Sequence, residues 1–90
     1  MNREERIRAI LTEKLHPSHL EIHDDSYKHA GHAGARPGGE THYALVVEAE
    51  CFRGLSKIQR HQMIYALLAG ELNNGLHALA IRAYVSGEGY

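Results

Sequence analysis

Eight of the 90 residues are histidine, and six of them, His16, His19, His23, His29, His32 and His42, fall within 27 positions. Histidine is the commonest metal ligand and the side chain that titrates near neutrality, so this density points to metal or proton chemistry. His29-Ala30-Gly31-His32 spaces two imidazoles by three, which allows joint coordination without fixing it. Two imidazoles do not close a metal site, because structural zinc takes four protein ligands and catalytic zinc three. Asp24, Asp25 and Glu40 flank the pair as further donors. A site lent to a partner fits the count better, since two histidines can replace two cysteines at one iron of a [2Fe–2S] cluster. His77, after Gly75-Leu76, is ordinary for a strand edge when taken alone, and it gains weight only if the fold brings the other histidines to it.

Other chemistry is thinly represented. Cys51 is the one cysteine, so no internal disulfide and no thiolate metal site can form within one chain. Its parity with Leu45 and Val47 predicts a packed thiol. His61 lies within an apolar helical stripe and is expected to be a buried, hydrogen-bonded core residue. No acid/base pair, nucleophile elbow or GxxxxGK[ST] phosphate loop is present, which argues against an enzyme. Arg53, Lys57 and Arg60 bracket one helix start and make a candidate phosphate patch, although the net charge is -1 and no tryptophan is available to stack bases. Gly31-His32-Ala33-Gly34 matches the GxxG clamp of KH domains, but here it joins two strands and not two helices, so the match is accidental.

The elements that must position these residues follow from periodicity. Ile7, Ile10, Leu11 and Leu15 recur at helical spacing within Asn2 to Leu15, and Pro17 stops that helix. Leu20 to Asp24 alternates as a short strand. Lys28 to Gly39 holds four glycines and a proline and predicts a long, mobile loop. Alternation resumes from Thr41 to Cys51 as a second strand, joined to the first as an antiparallel hairpin. Ser56 caps a helix reaching Leu72, with a break near Gly70, and Asn73-Asn74-Gly75 ends it. Leu76 to Val85 is a third strand with Leu79 and Ile81 as its inward pair, and Ser86 to Tyr90 is a loose tail. Strand, helix and strand form a crossover unit whose strands pair in parallel. That topology gathers His77, His42 and the loop histidines at one end of the sheet. One domain accounts for the whole chain, no segment is long and apolar enough to span a membrane, and the charged N-terminus is no signal peptide, so a cytoplasmic location is expected.

Gly39-Glu40-Thr41-His42-Tyr43, Phe52-Arg53-Gly54-Leu55-Ser56, Gln59 to Tyr65 and Glu71 to Leu79, taken in order with His29-Ala30-Gly31-His32, resemble the signature stretches of BolA-like proteins. The resemblance implies an α+β, class II KH-like fold ordered helix-strand-strand-helix-helix-strand, with a three-stranded mixed sheet and helices on one face. It also implies partnership with a monothiol glutaredoxin, in which a [2Fe–2S] cluster is held by glutaredoxin cysteine and glutathione on one side and BolA histidines on the other. The family's C-terminal ligand matches His77, and its loop ligand matches His32, with His29 competing. The isolated chain would carry no cofactor, would be a monomer, and would form a heterodimer with its partner. Bacterial members are also described as transcription regulators of stress response and cell shape, for which Arg53, Lys57 and Arg60 are the candidate DNA contacts. Ligating imidazoles must be neutral, so cluster assembly is expected to weaken below about pH 6.5, the ordinary histidine pKa.

Overall fold

The computed structural model describes residues 2–24 and 42–87. The expected glycine-rich loop, with His29 and His32, lies outside the described residues. Helix α1 spans Arg3–Leu15. Its start is fixed by a reciprocal capping box, in which the Glu5 amide donates to Asn2 Oδ1 at 2.8 Å and the Asn2 amide to the Glu5 carboxylate at 3.4 Å. It ends on His16, which adopts a left-handed backbone (φ 47°) while its amide still donates to the Thr12 carbonyl, and Pro17 prevents continuation.

Strand β1 (His19–Asp24) pairs antiparallel with β2 (His42–Glu48), and β2 pairs in parallel with β3 (Ala78–Tyr84). The sheet order is β1-β2-β3, as the crossover argument requires. Register places Leu20, Ile22, Tyr43, Leu45, Val47, Leu79 and Ile81 on one face. That face meets Ile7, Leu11 and Leu15 of α1 and Ile64 of α2 (Lys57–Leu67) in a single core, completed by Phe52, Leu68, Leu76 and Val85. The helices therefore cover one face of the sheet, and the other carries His19, Glu21, His23, Ala44, Ala80 and Arg82.

Five expectations need correction. β2 stops at Glu48, because Ala49 opens a 3₁₀ turn at Glu50–Phe52. The turn breaks the alternation, so Phe52 is buried and Cys51 is exposed rather than packed. The second helix breaks at Leu68, not Gly70. Leu68 leaves helical geometry at φ -100°, ψ 13° and is fully buried, and α3 (Ala69–Leu72) follows. His61 is half-buried rather than core, and lines a cleft with Lys57 and residues 81–84 of β3. Ser86 is not loose, since its hydroxyl lies 3.1 Å from that of Ser18.

One charged cluster is buried in this otherwise apolar arrangement. Arg3 is 4% exposed and donates through Nε to Glu71 at 3.1 Å, while Arg6 donates to both oxygens of the same carboxylate at 2.9 and 3.1 Å. Removing one partner of a buried pair strands the other charge without compensation. Glu71→Ala is expected to cost about 3 kcal/mol in urea unfolding. Glu4→Ala, which breaks only the solvent-exposed contact to Arg8 at 3.9 Å, should stay within about 0.5 kcal/mol. Equal shifts in the two variants would refute the clamp.

Candidate functional site

The parallel register sets His42 opposite Ala78, one residue after His77. The two imidazoles meet with ring centroids 5.2 Å apart and planes tilted by 54°. His42 is 7% exposed, whereas His77 is open to solvent. Residues 35 positions apart in the chain thus form one histidine pair. The segment holding His29 and His32 leaves β1 at Asp24 and returns at His42. Asp24 is in register with Tyr43, so both ends of that segment sit at the pole of the sheet where the pair lies.

The position of His77 is set from behind. The backbone carbonyl of Glu71 accepts from the Asn74 amide at 3.0 Å and the Leu76 amide at 2.9 Å, which closes the turn after α3. Gly75 passes through that turn at φ 106°, a region closed to most side chains. Leu76, 3% exposed, plugs into the core immediately before His77. Arg3 also donates through Nη2 to the Asn74 carbonyl at 2.6 Å, so the charged clamp grips the same turn. Local sequence pattern does not mark Arg3, Arg6 and Glu71 as site residues. The available signal was Arg3 itself, which sits four residues before Ile7 on the stripe formed by Ile7, Leu11 and Leu15, where a charge demands a buried partner.

Coordination is limited by the donors present. Among the described residues no group of three or more His, Cys, Asp or Glu side chains is gathered to hold a metal. Cys51 cannot join the histidines, because it follows β2 at the far end from His42. Although the residue is exposed, desolvation of its sulfur pushes the thiol pKa up, the opposite of what a reactive thiolate needs. What the described part of this pole offers is a pair of neighbouring imidazoles with one ring accessible.

The basic residues lie elsewhere. Arg60 donates through Nε to the Leu55 carbonyl at 3.1 Å and through Nη1 to the Ala83 carbonyl at 2.9 Å, and its guanidinium sits 6.0 Å from the centre of the Phe52 ring. Arg53 forks onto Glu50, and the hydrogen bond holds that carboxyl below its usual pKa. Lys57 stands exposed on the first turn of α2. This cluster reaches β3 at Ala83, six residues beyond His77 and so roughly 20 Å along the strand from it.

Gly75→Ala should cost about 1–2 kcal/mol, because the turn forces a left-handed backbone on the new side chain. The imidazole NMR signals of both His42 and His77 should shift with it. A variant that loses stability while both signals stay fixed would show that the turn does not position the ring.

The BolA-like protein model matches residues 11–88. The chain is 47% identical over 87 residues to SufE-like protein 1 of Arabidopsis thaliana, an alignment that covers 92% of this chain and 24% of that protein, so it corresponds to only one part of that relative. It is 40% identical over 80 residues to the DNA-binding transcriptional regulator BolA of Escherichia coli strain K12, covering 89% of this chain and 72% of the regulator. Its fold superposes on the BolA domain of SufE1 from Arabidopsis thaliana with a TM-score of 0.89 at 45% identity, covering 99% of this chain and 98% of that domain. The helix-strand-strand-helix-helix-strand order with a mixed three-stranded sheet is therefore shared with solved BolA domains, and the chain belongs to the BolA-like protein family.

Proposed function

We propose that this protein is a non-catalytic partner of a monothiol glutaredoxin, contributing histidine ligands to a shared [2Fe–2S] cluster used in cluster trafficking or iron regulation. The observation that supports this most directly is the exposed imidazole of His77 at the pole where the segment bearing His32 begins and ends. The donors suit a half-site: imidazole is present at this pole, and the sole thiol lies at the other end of β2. Glutaredoxin cysteine and glutathione would supply the sulfur donors on the opposite side. When bound, the cluster would provide the iron that the two parties share. This chain's own task is to present neutral imidazoles on a rigid frame, His77 from the turn before β3 and His32, or else His29, from the loop. No helix among the described residues is long and apolar enough to cross a membrane.

The electronic spectrum of a mixture with monothiol glutaredoxin, iron, sulfide and glutathione tests the proposal. A visible spectrum distinct from that of glutaredoxin alone is expected, reverting toward it with His77→Ala and as the pH is lowered through the histidine range. A spectrum that does not respond to this chain would sink the reading.

A second reading, direct DNA binding in transcriptional control, is favoured by the E. coli relative, which is a DNA-binding transcriptional regulator. It would use Arg53, Lys57 and Arg60, of which Arg60 and Arg53 already bond to carbonyls and a carboxylate within the chain. If it holds, duplex binding falls steeply with salt and Lys57→Ala lowers the salt slope by about 1. Absence of saturable binding at physiological salt would remove it.

A further inference from the structure

We infer that the open face of the sheet is a self-association surface, on which two copies of this chain stack sheet against sheet about a two-fold axis running along β2. The helices cover one side of the sheet, and among the described residues no helix covers the other. Register lays that open side out in rows. Glu21 lies beside Val46 and Val46 beside Arg82, with His23, Ala44 and Ala80 in the row before and His19, Glu48 and Tyr84 in the row after. Arg82 is exposed and, among the described residues, makes no hydrogen bond or ion pair. The Glu21 carboxylate lies 2.6 Å from His19 Nε2 and 3.0 Å from His23 Nε2, so the flanking imidazoles hold it on the same face.

Charge complementarity selects a second copy as the occupant. β2 is the middle strand, so a two-fold axis along it carries β1 of one copy over β3 of the other. Glu21 of each copy then faces Arg82 of the other, Val46 meets its own counterpart, and His23 covers Ala80. This is the isologous pattern, in which one residue meets a second and the second meets the first. Ala44 and Ala80 are small enough to let the sheets approach to the usual stacking distance of about 10 Å. Glu48 is the one unfavourable neighbour of its own copy. The angle of roughly 30° between packed sheets carries the two Glu48 positions to opposite sides of the axis, and the Ser18 hydroxyl, 2.8 Å from the carboxylate, draws each toward its own β1. With only Val46 and alanines as apolar groups, the face offers little to an apolar helix. Three strands about 4.8 Å apart and some six residues long present roughly 300 Å², well under the ~800 Å² per partner of a stable complex. The dimer is therefore weak and reversible, and dilute solutions hold monomers.

Sedimentation equilibrium of the full chain over a concentration series, with a chelator present so that no metal bridges histidines, decides the matter. The unaltered chain is expected to pass from monomer to dimer at the upper end of the series. Glu21→Arg alone and Arg82→Glu alone each set like charges opposite one another, and each should weaken association at least about tenfold. An equimolar mixture of the two variants should regain it, because the positive face of one then meets the negative face of the other, and that recovery also shows both variants to be folded. His77→Ala, off this face, should leave the midpoint within about twofold. A chain that stays monomeric throughout, single variants that associate as well as the original, or a mixture that recovers nothing would each overturn the inference. Loss of association in His77→Ala would overturn it too, by moving the contact to the histidine pole. The measurement contains neither glutaredoxin nor iron, so its outcome is independent of the cluster proposal.

Discussion

The parallel pairing of β2 with β3 is the constraint from which the functional pole follows. Parallel neighbours cannot be joined by a tight turn, so the chain must leave β2 at Glu48, cross over the sheet through α2 and α3, and return to the starting end before β3 begins. Only that return puts His77 beside His42. Had β3 run antiparallel, residue 77 would have opened the strand next to Glu48, at the end where Ser18 and Cys51 lie, and the two imidazoles would have been separated by the length of the sheet. The hydrophobic face then fixes the register. Leu79 and Ile81 must cover the same core as Tyr43, Leu45 and Val47, and a slip of one residue would turn them to solvent.

A crossover brings the chain to the correct end, but it does not by itself aim one side chain. That precision comes from the charges around Glu71. Its carboxylate is shared by Arg3 and Arg6 from the first helix, and its carbonyl closes the turn that leads to Leu76. A buried ion pair is a poor source of net stability, because desolvation consumes most of the attraction. What it adds is a defined tie: Arg3 and Arg6 of α1 hydrogen-bond one carboxylate of α3, which pins the two helices together at that point. The His77 backbone inherits that placement through a rigid four-residue connection.

The legibility of the sequence divides along the same line between local and distant determinants. Helix starts were readable because Asn2 and Ser56 act on amides only three residues away, and the Ser56–Gln59 capping box is as local as the signal that predicts it. Core faces were readable because Leu45 and Val47, or Ile7 and Leu11, repeat within a few positions. The parallel register was readable from chain order alone. Parity misplaces Cys51 because it holds only while a strand continues, and the turn at Glu50 adds a rotation that alternation cannot announce. The helical stripe overstates the burial of His61 because it records which side faces inward but not how far the neighbouring strand extends beneath it. The Arg3–Glu71 contact joins residues 68 apart, and no local pattern encodes it.

Edge-strand physics distinguishes the surroundings of the basic residues from those of the histidines. β3 is the last strand of the sheet, and its outward carbonyls would be open to pairing with another chain. The carbonyl of Tyr84 points inward, accepting from the Ala49 amide, so those of Leu79, Ile81 and Ala83 alternate outward. Two of them are covered by α2: the Tyr65 hydroxyl donates to Leu79 at 3.2 Å, and Arg60 donates to Ala83 at 2.9 Å. Turning Arg60 toward a phosphate would uncover the edge and break the bond to Leu55 that holds the start of α2, so its guanidinium is already committed to the fold. His77 bears no such duty. It lies before the strand proper, and its exposed ring can take a ligand without disturbing the hydrogen bonds that keep the sheet closed.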